Sequence, residues 1–220
     1  MTVRAVLFDF GNTLFAHAPL SATIRAEAAA LNREVTPAWA QSLAERINTA
    51  AHTPTELAHP RDLDSSVWVA RWPLLYGLAD NDVPGLGAAL YRSMHAAGEW
   101  FPYAGTVNTL TTLQRAGVPV GIVSNTGWDV RAVFVHHGLD RGVRSFVLSC
   151  EVGVVKPNPH IFELACERLG SAPSETLMVG DDPVADAGAV RAGLTTLLLP
   201  AMPAGSANGV DGALSLVTTS

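Results

Sequence analysis

Five short stretches of the chain are apolar almost from end to end: 5–10 (AVLFDF), 119–124 (PVGIVS), 145–150 (SFVLSC), 176–180 (TLMVG) and 194–199 (LTTLLL). Runs that do not alternate suit strands covered on both faces, so they predict a parallel sheet flanked by helices. Between them the period changes. In 105–116, Val107, Leu110 and Leu113 recur at helical spacing before Gly117, which predicts an amphipathic helix with a glycine stop. Residues 160–169 repeat the pattern up to Gly170, and 182–192 carry a third, shorter one. The stretch from 16 to 100 holds no convincing strand. It is rich in Ala, Leu and Trp and is broken at Pro37, Pro54, Pro60 and the segment 80–85, so it reads as several helices. A block of that length is too long for a crossover, and a helical lobe inserted into an α/β core accounts for it better. The tail 201–220 is Ala/Gly/Ser/Thr-rich and is expected to be partly mobile.

Composition narrows the class. At 220 residues the chain can bury one large core, or a core and a smaller lobe. An apolar fraction of 48% with 15% charged residues describes a soluble globular protein. The net charge of −6, with no basic cluster, removes the footprint of a nucleic-acid binder. The first apolar run is cut by Asp9, Gly11 and Asn12, which fits neither a secretory leader nor a membrane span and predicts a cytoplasmic protein with no membrane partner. Cys150 and Cys166 have no CxxC or His-rich company, which argues against a zinc site or a disulfide framework. Oligomeric state is left open.

In open parallel sheets, ligands sit outside the carboxyl ends of the strands. The polar residues that close the apolar runs therefore converge: Asp9 after the first, Ser124-Asn125 after the second, Lys156 after the third and Gly180-Asp-Asp-Pro-Val-Ala-Asp186 after the fourth. Three carboxylates (Asp9, Asp181, and Asp182 or Asp186) in one cleft call for a divalent cation, and hard oxygen ligands suit Mg²⁺. Ser124, Lys156 and the amides around Gly11, Asn12 and Asn125 supply donors and positive charge for a phosphoryl oxyanion. Each piece alone has a plainer meaning as a turn or a cap. Lys156, however, is the single lysine in a chain with thirteen arginines, and a compact ammonium suits a tight site where a guanidinium does not. Together the pieces match phosphoryl transfer, with Asp9 as nucleophile.

The four segments DFGNT (Asp9–Thr13), VSN (Ser124), VVKPNP (Lys156) and GDDPVAD (Asp181, Asp182, Asp186) stand in the order of the motifs of the haloacid dehalogenase (HAD) superfamily, which the chain resembles over nearly its whole length. The resemblance implies a Rossmann-like parallel core made of 1–15 and 101–220, a helical cap over 16–100 and a Mg²⁺-dependent phosphatase acting on a small phosphorylated metabolite through an aspartyl-phosphate. It implies Asp9, Ser124 and Lys156 as catalytic residues, Gly11, Asn12, Ser124, Asn125 and Lys156 around the phosphate, and Asp9, Gly11 (through its carbonyl), Asp181, Asp182 and Asp186 around the metal.

One position departs from the pattern. Phosphatases of this superfamily usually carry a second Asp where Gly11 stands, and that Asp protonates the leaving alcohol and then activates water. General acid–base catalysis is worth about 10²–10⁴ in rate. The sequence offers His17 as a replacement, a leaving group good enough to need none, or a protein that is slow or only binds. A metal-free 2-haloacid dehalogenase is a further alternative that leaves the gathered acids unexplained. A phosphonatase is disfavoured because 16–100 contains no lysine. Arg25, Arg46, Arg71, Trp68, Trp72, His52, His59 and Trp128 are the candidates for substrate contact.

Overall fold

The computed structural model describes residues 2–217. All five apolar runs form strands: β1 (Ala5–Phe8) and, in chain order among the others, β4 (Val120–Ser124), β5 (Ser145–Leu148), β6 (Thr176–Gly180) and β7 (Thr195–Leu198). They make one parallel sheet of order β5-β4-β1-β6-β7. β1 lies at its centre, with Val6 opposite Val120 on one side and Leu177 on the other.

Alternation along β1 feeds two cores. Val6 and Phe8 pack with Leu110, Leu113, Val133 and Phe134, which come from α6 (Thr106–Arg115) and α7 (Arg131–His136). Ala5 and Leu7 pack on the opposite face with Ile161, Phe162 and Leu169 of α9 (Pro159–Leu169). The short helix α8 (Ser149–Val152) follows β5 directly. Asn158 caps α9 by accepting from His160 N–H, and Gly170 closes it in the left-handed conformation, as the pattern of polar starts and glycine stops requires.

Two details differ from expectation. Val107 is exposed, while Leu110 and Leu113 are buried. The third helical stretch is a 3₁₀ turn over 186–192.

The helical block contains α1 (Leu20–Ala30), α2 (Pro37–Ala51), α3 (Pro54–Leu57), α4 (Ser65–Tyr76) and α5 (Leu86–His95). Its prolines open helices as well as separate them. Pro37 and Pro54 occupy first turns whose amides are capped by Thr36 and Thr53, where a missing N–H costs nothing. Ile24, Leu43, Ile47, Tyr76, Leu86 and Leu90 give the block its own apolar cluster. Two short strands that the pattern did not reveal, β2 (Phe15–His17) and β3 (Trp100–Pro102), pair antiparallel where the chain enters and leaves the block.

The C-terminal tail is anchored at a few buried residues while most of its described length stays exposed. Val210 and Ala213 of the turn leading into α10 (Ala213–Leu216) are fully buried, and buried Asn208 donates from Nδ2 to the Thr13 carbonyl at 2.9 Å. Residues 218–220 of the expected mobile tail lie outside the described residues. No helix among the described residues is long and apolar enough to cross a membrane.

Candidate functional site

The strand tips converge as the order of the sheet requires. Asp9 leaves β1 with its N–H bonded to the Val179 carbonyl. Beyond it the chain turns tightly: Leu14 and Phe15 N–H both return to the Phe10 carbonyl, and Asn12 adopts φ 56°. Thr106 Oγ1 and Asn208 Nδ2 hold this turn from outside by donating to the Leu14 and Thr13 carbonyls.

Lys156 is the junction of the site. Its buried Nζ lies 2.6 Å from Asp9 Oδ1 and 2.6 Å from Asp186 Oδ1. Asp186 is fully buried, and its Oδ2 accepts the N–H groups of Asp181 and Asp182 at 3.0 Å each. Gly180 permits that grip, because a Cβ there would lie 2.2 Å from Asp186 Oδ2. Asp181 accepts from Thr13 Oγ1 at 3.2 Å. Oxygens of Asp9, Asp181 and Asp186 lie within 4.8 Å of one another.

The charges explain one another. Burial pushes the Asp9 carboxyl up to about 6, with Lys156 pulling it down and Asp186 adding to the rise. Burial alone would lower the Lys156 ammonium, but Asp9 and Asp186 outweigh it and hold it above its ordinary value. Asp181 is raised by burial and then by Asp186. Three carboxylates against one ammonium leave negative charge in a buried place, and the donors are all hard oxygens. That set fits a divalent cation such as Mg²⁺.

The remaining sequence candidates separate. Asp182 turns away from the cluster: its Oδ1 caps the Val184 and Ala185 amides at 2.7 and 2.8 Å, which lowers its pKa. Ser124 is buried and lines the cavity. Asn125 spends its side chain on Lys156, accepting from its N–H at 2.8 Å and donating to its carbonyl at 3.0 Å. Its amide group therefore positions the lysine. Asn12 has its own N–H bonded to the Phe15 carbonyl, so that amide is not free for an anion. Gly11 lines the cavity, and nothing lies within 4 Å of where a Cβ would stand.

His17 faces the cavity from β2 with both ring nitrogens against backbone carbonyls, Nδ1 at 3.1 Å from Ala18 and Nε2 at 3.3 Å from Ser93. Neutral imidazole donates from one nitrogen only, and with both nitrogens set against backbone carbonyls the ring does not suit a proton donor to substrate.

The cavity measures about 580 Å³ and runs from this cluster into the helical block. Trp68, Trp72, Tyr76, Trp100 and Trp128 line its far side. Trp68 Nε1–H donates to His95 Nε2 at 3.0 Å, and His95 Nδ1 donates in turn to the Tyr91 carbonyl at 2.7 Å. The Trp72 indole N–H is buried with no partner. Of the other cap candidates His52 lines the cavity, whereas Arg46 pairs with Asp82 and Arg71 with Glu56. Arg25 and His59 do not line it. Asp62, between α3 and α4, does line it and was not singled out by the sequence; no local motif marks it.

Residues 3–193 match the family described as haloacid dehalogenase-like hydrolase. The chain is 31% identical over 202 residues to a glyceraldehyde 3-phosphate phosphatase of Methanopyrus kandleri, covering 89% of this chain and 83% of that protein. It is likewise 31% identical over 185 residues to an N-acetylmuramic acid 6-phosphate phosphatase of Pseudomonas aeruginosa, covering 83% of this chain and 75% of that one. A solved dehalogenase structure superposes with a TM-score of 0.67 at 22% identity, covering 100% of this chain and 99% of that chain, and so shares the fold. The match spans the strand-tip cluster and the helical block alike: the chain belongs to the haloacid dehalogenase-like hydrolases.

Proposed function

We propose that the protein is a Mg²⁺-dependent phosphatase of a small phosphorylated metabolite, working through an aspartyl-phosphate on Asp9. The observation that carries this reading is Lys156 Nζ held 2.6 Å from both Asp9 and Asp186, with Asp181 beside them, at the floor of the cavity. The phosphatase names of two relatives matched over most of their length support it.

An Asp9 oxygen attacks phosphorus, the bond to the leaving oxygen breaks, and water then cleaves the acyl phosphate. Lys156 balances charge on Asp9 before attack and on the phosphoryl oxygens during it. Ser124 offers a hydroxyl donor, and Asn125 keeps Lys156 in place. Asp9, the Gly11 carbonyl and Asp181 would hold the metal. Asp186 has both oxygens engaged and works from behind, and Asp182 stabilises the turn. When bound, Mg²⁺ supplies positive charge against the phosphoryl oxygens and relieves repulsion among the carboxylates.

The helical block acts as a cap that excludes water, with residues 16–100 as its extent. Its indoles favour a leaving group with a flat apolar face. Metal-free displacement of a halide gives no reason to gather Asp181 and Asp186 beside Asp9.

Phosphate release from a panel of phosphate esters, with Mg²⁺ and with chelator, tests the reading. Asp9→Asn is expected to lose about 10⁴-fold or more of kcat/KM, and chelation to stop turnover. Turnover that survives Asp9→Asn refutes it.

A further inference from the structure

The helical block brings one more carboxyl group to the cavity that holds Asp9 and Gly11. Asp62 is half-buried in the loop between α3 and α4. That loop is seated firmly on the core. The Asp62 carbonyl accepts from the Ser149 hydroxyl, whose oxygen accepts the Thr126 N–H. The Arg61 carbonyl presses on Gly127 so closely that a Cβ there would lie 2.4 Å from it. The loop thus rests on the turn that follows Ser124.

The Asp62 carboxyl has no hydrogen-bond or ion-pair partner among the described residues. Arg61 next to it is committed elsewhere: to Glu56 at 3.7 Å, to the Ala51 carbonyl at 3.0 Å and to the face of Trp72. A half-buried carboxyl without a partner is costly. Burial holds it above the usual carboxylate range, with Arg61 and Lys156 pulling the other way. Across the cavity, the position that carries a carboxyl in many phosphatases is Gly11, with open space beside it.

We propose that Asp62 is the acid–base residue of the hydrolysis, reaching from the helical block into the space that Gly11 leaves open. The proposal rests on the phosphatase reading above. As Asp9 attacks phosphorus and the bond to the leaving oxygen breaks, the electron pair goes to that oxygen and the Asp62 proton joins it, so the alcohol departs neutral. The Asp62 carboxylate then takes a proton from water as the water oxygen attacks phosphorus. The bond to Asp9 breaks, its pair returns to the Asp9 carboxylate, and phosphate leaves.

The experiment compares wild type, Asp62→Asn, and Asp62→Asn combined with Gly11→Asp on alkyl and aryl phosphates. It follows turnover and the mass of any phosphorylated chain. An aryl oxygen leaves with little help, whereas an alkyl oxygen needs the proton. Asp62→Asn is expected to lose about 10²-fold or more of kcat on alkyl esters with KM little changed. It is expected to lose less on aryl esters, and there to accumulate phosphorylated enzyme because breakdown lacks its base. Gly11→Asp is expected to recover about tenfold or more of the alkyl rate.

Equal losses on both ester classes with no phosphoenzyme, or a double variant as slow as Asp62→Asn, would overturn the role of Asp62 while leaving the phosphatase intact. A wild type that releases no phosphate and forms no phosphoenzyme would overturn the phosphatase reading and this proposal with it.

Discussion

The cavity has a floor and a roof that differ in almost every physical respect. The floor is the tips of β1, β4 and β6 with the loop carrying Lys156, where charged groups hold one another at 2.6–3.0 Å. The roof is a set of indoles on α4 and around β3, with an unpartnered N–H on Trp72. Charges in fixed hydrogen bonds tolerate little displacement, because a shift of about an ångström at a reacting centre can cost 10²-fold in rate. Aromatic walls grip by area and accept variation. On the phosphatase reading proposed above, the floor would set the reaction and the roof would select what is brought to it.

Variants can set the two against each other. The largest effect is expected at the floor. Gly180→Ala forces a methyl group into the Asp186 carboxylate, which displaces the partner of Lys156. It should lower kcat by about 10²-fold on every ester alike, and a loss that depends on the leaving group would show that floor and roof are not separable. At the roof, Trp72→Ala should raise KM by about tenfold for esters with aromatic groups and leave the smallest alkyl esters near wild type. A uniform effect on both would mean that Trp72 supports the fold more than the substrate.

The smallest effect lies behind the roof, where buried Glu56 pairs with Arg71 and Arg61. The hydrogen bond from Arg71 holds the Glu56 carboxyl below its ordinary value. A lowered pKa adds stability that is present above the unfolded-state value and fades as pH falls through the folded one. Glu56→Gln should therefore lower Tm at pH 7 with kcat unchanged, and the gap to wild type should narrow as pH falls below the ordinary glutamate range and through the lowered folded-state value. A gap that persists in acid would assign the effect to packing.

These regions were not equally legible in the sequence. The three central strands β1, β4 and β6 are legible as uninterrupted apolar runs because they are buried at every position, and the edge strands β5 and β7 keep the same pattern while partly exposed. Asp9, Lys156 and Asp186 were found because a parallel sheet collects strand ends at one edge. The β2–β3 ribbon escaped because three residues carry no period. Val107 fits the helical spacing of Leu110 and Leu113 yet faces solvent, since periodicity gives an angle and not the edge of the buried stripe. Asn125 was placed near the phosphate by its position, but its carboxamide pairs with the Lys156 backbone. Asp62 could not be read locally at all: its place in the cavity wall depends on how the helical block settles on the turn after Ser124.

The central position of β1 has a consequence for how the molecule comes into being. A strand made first pairs on one side with residues 120–122 and on the other with residues 176–179, and the turn after it is secured by residue 208. During synthesis β1 leaves the ribosome without either neighbour, while the helices that follow it make contacts among themselves. Pairings this distant in the chain form slowly. The helical block is thus the part that can assemble first, and the cluster at the strand tips the part that closes last.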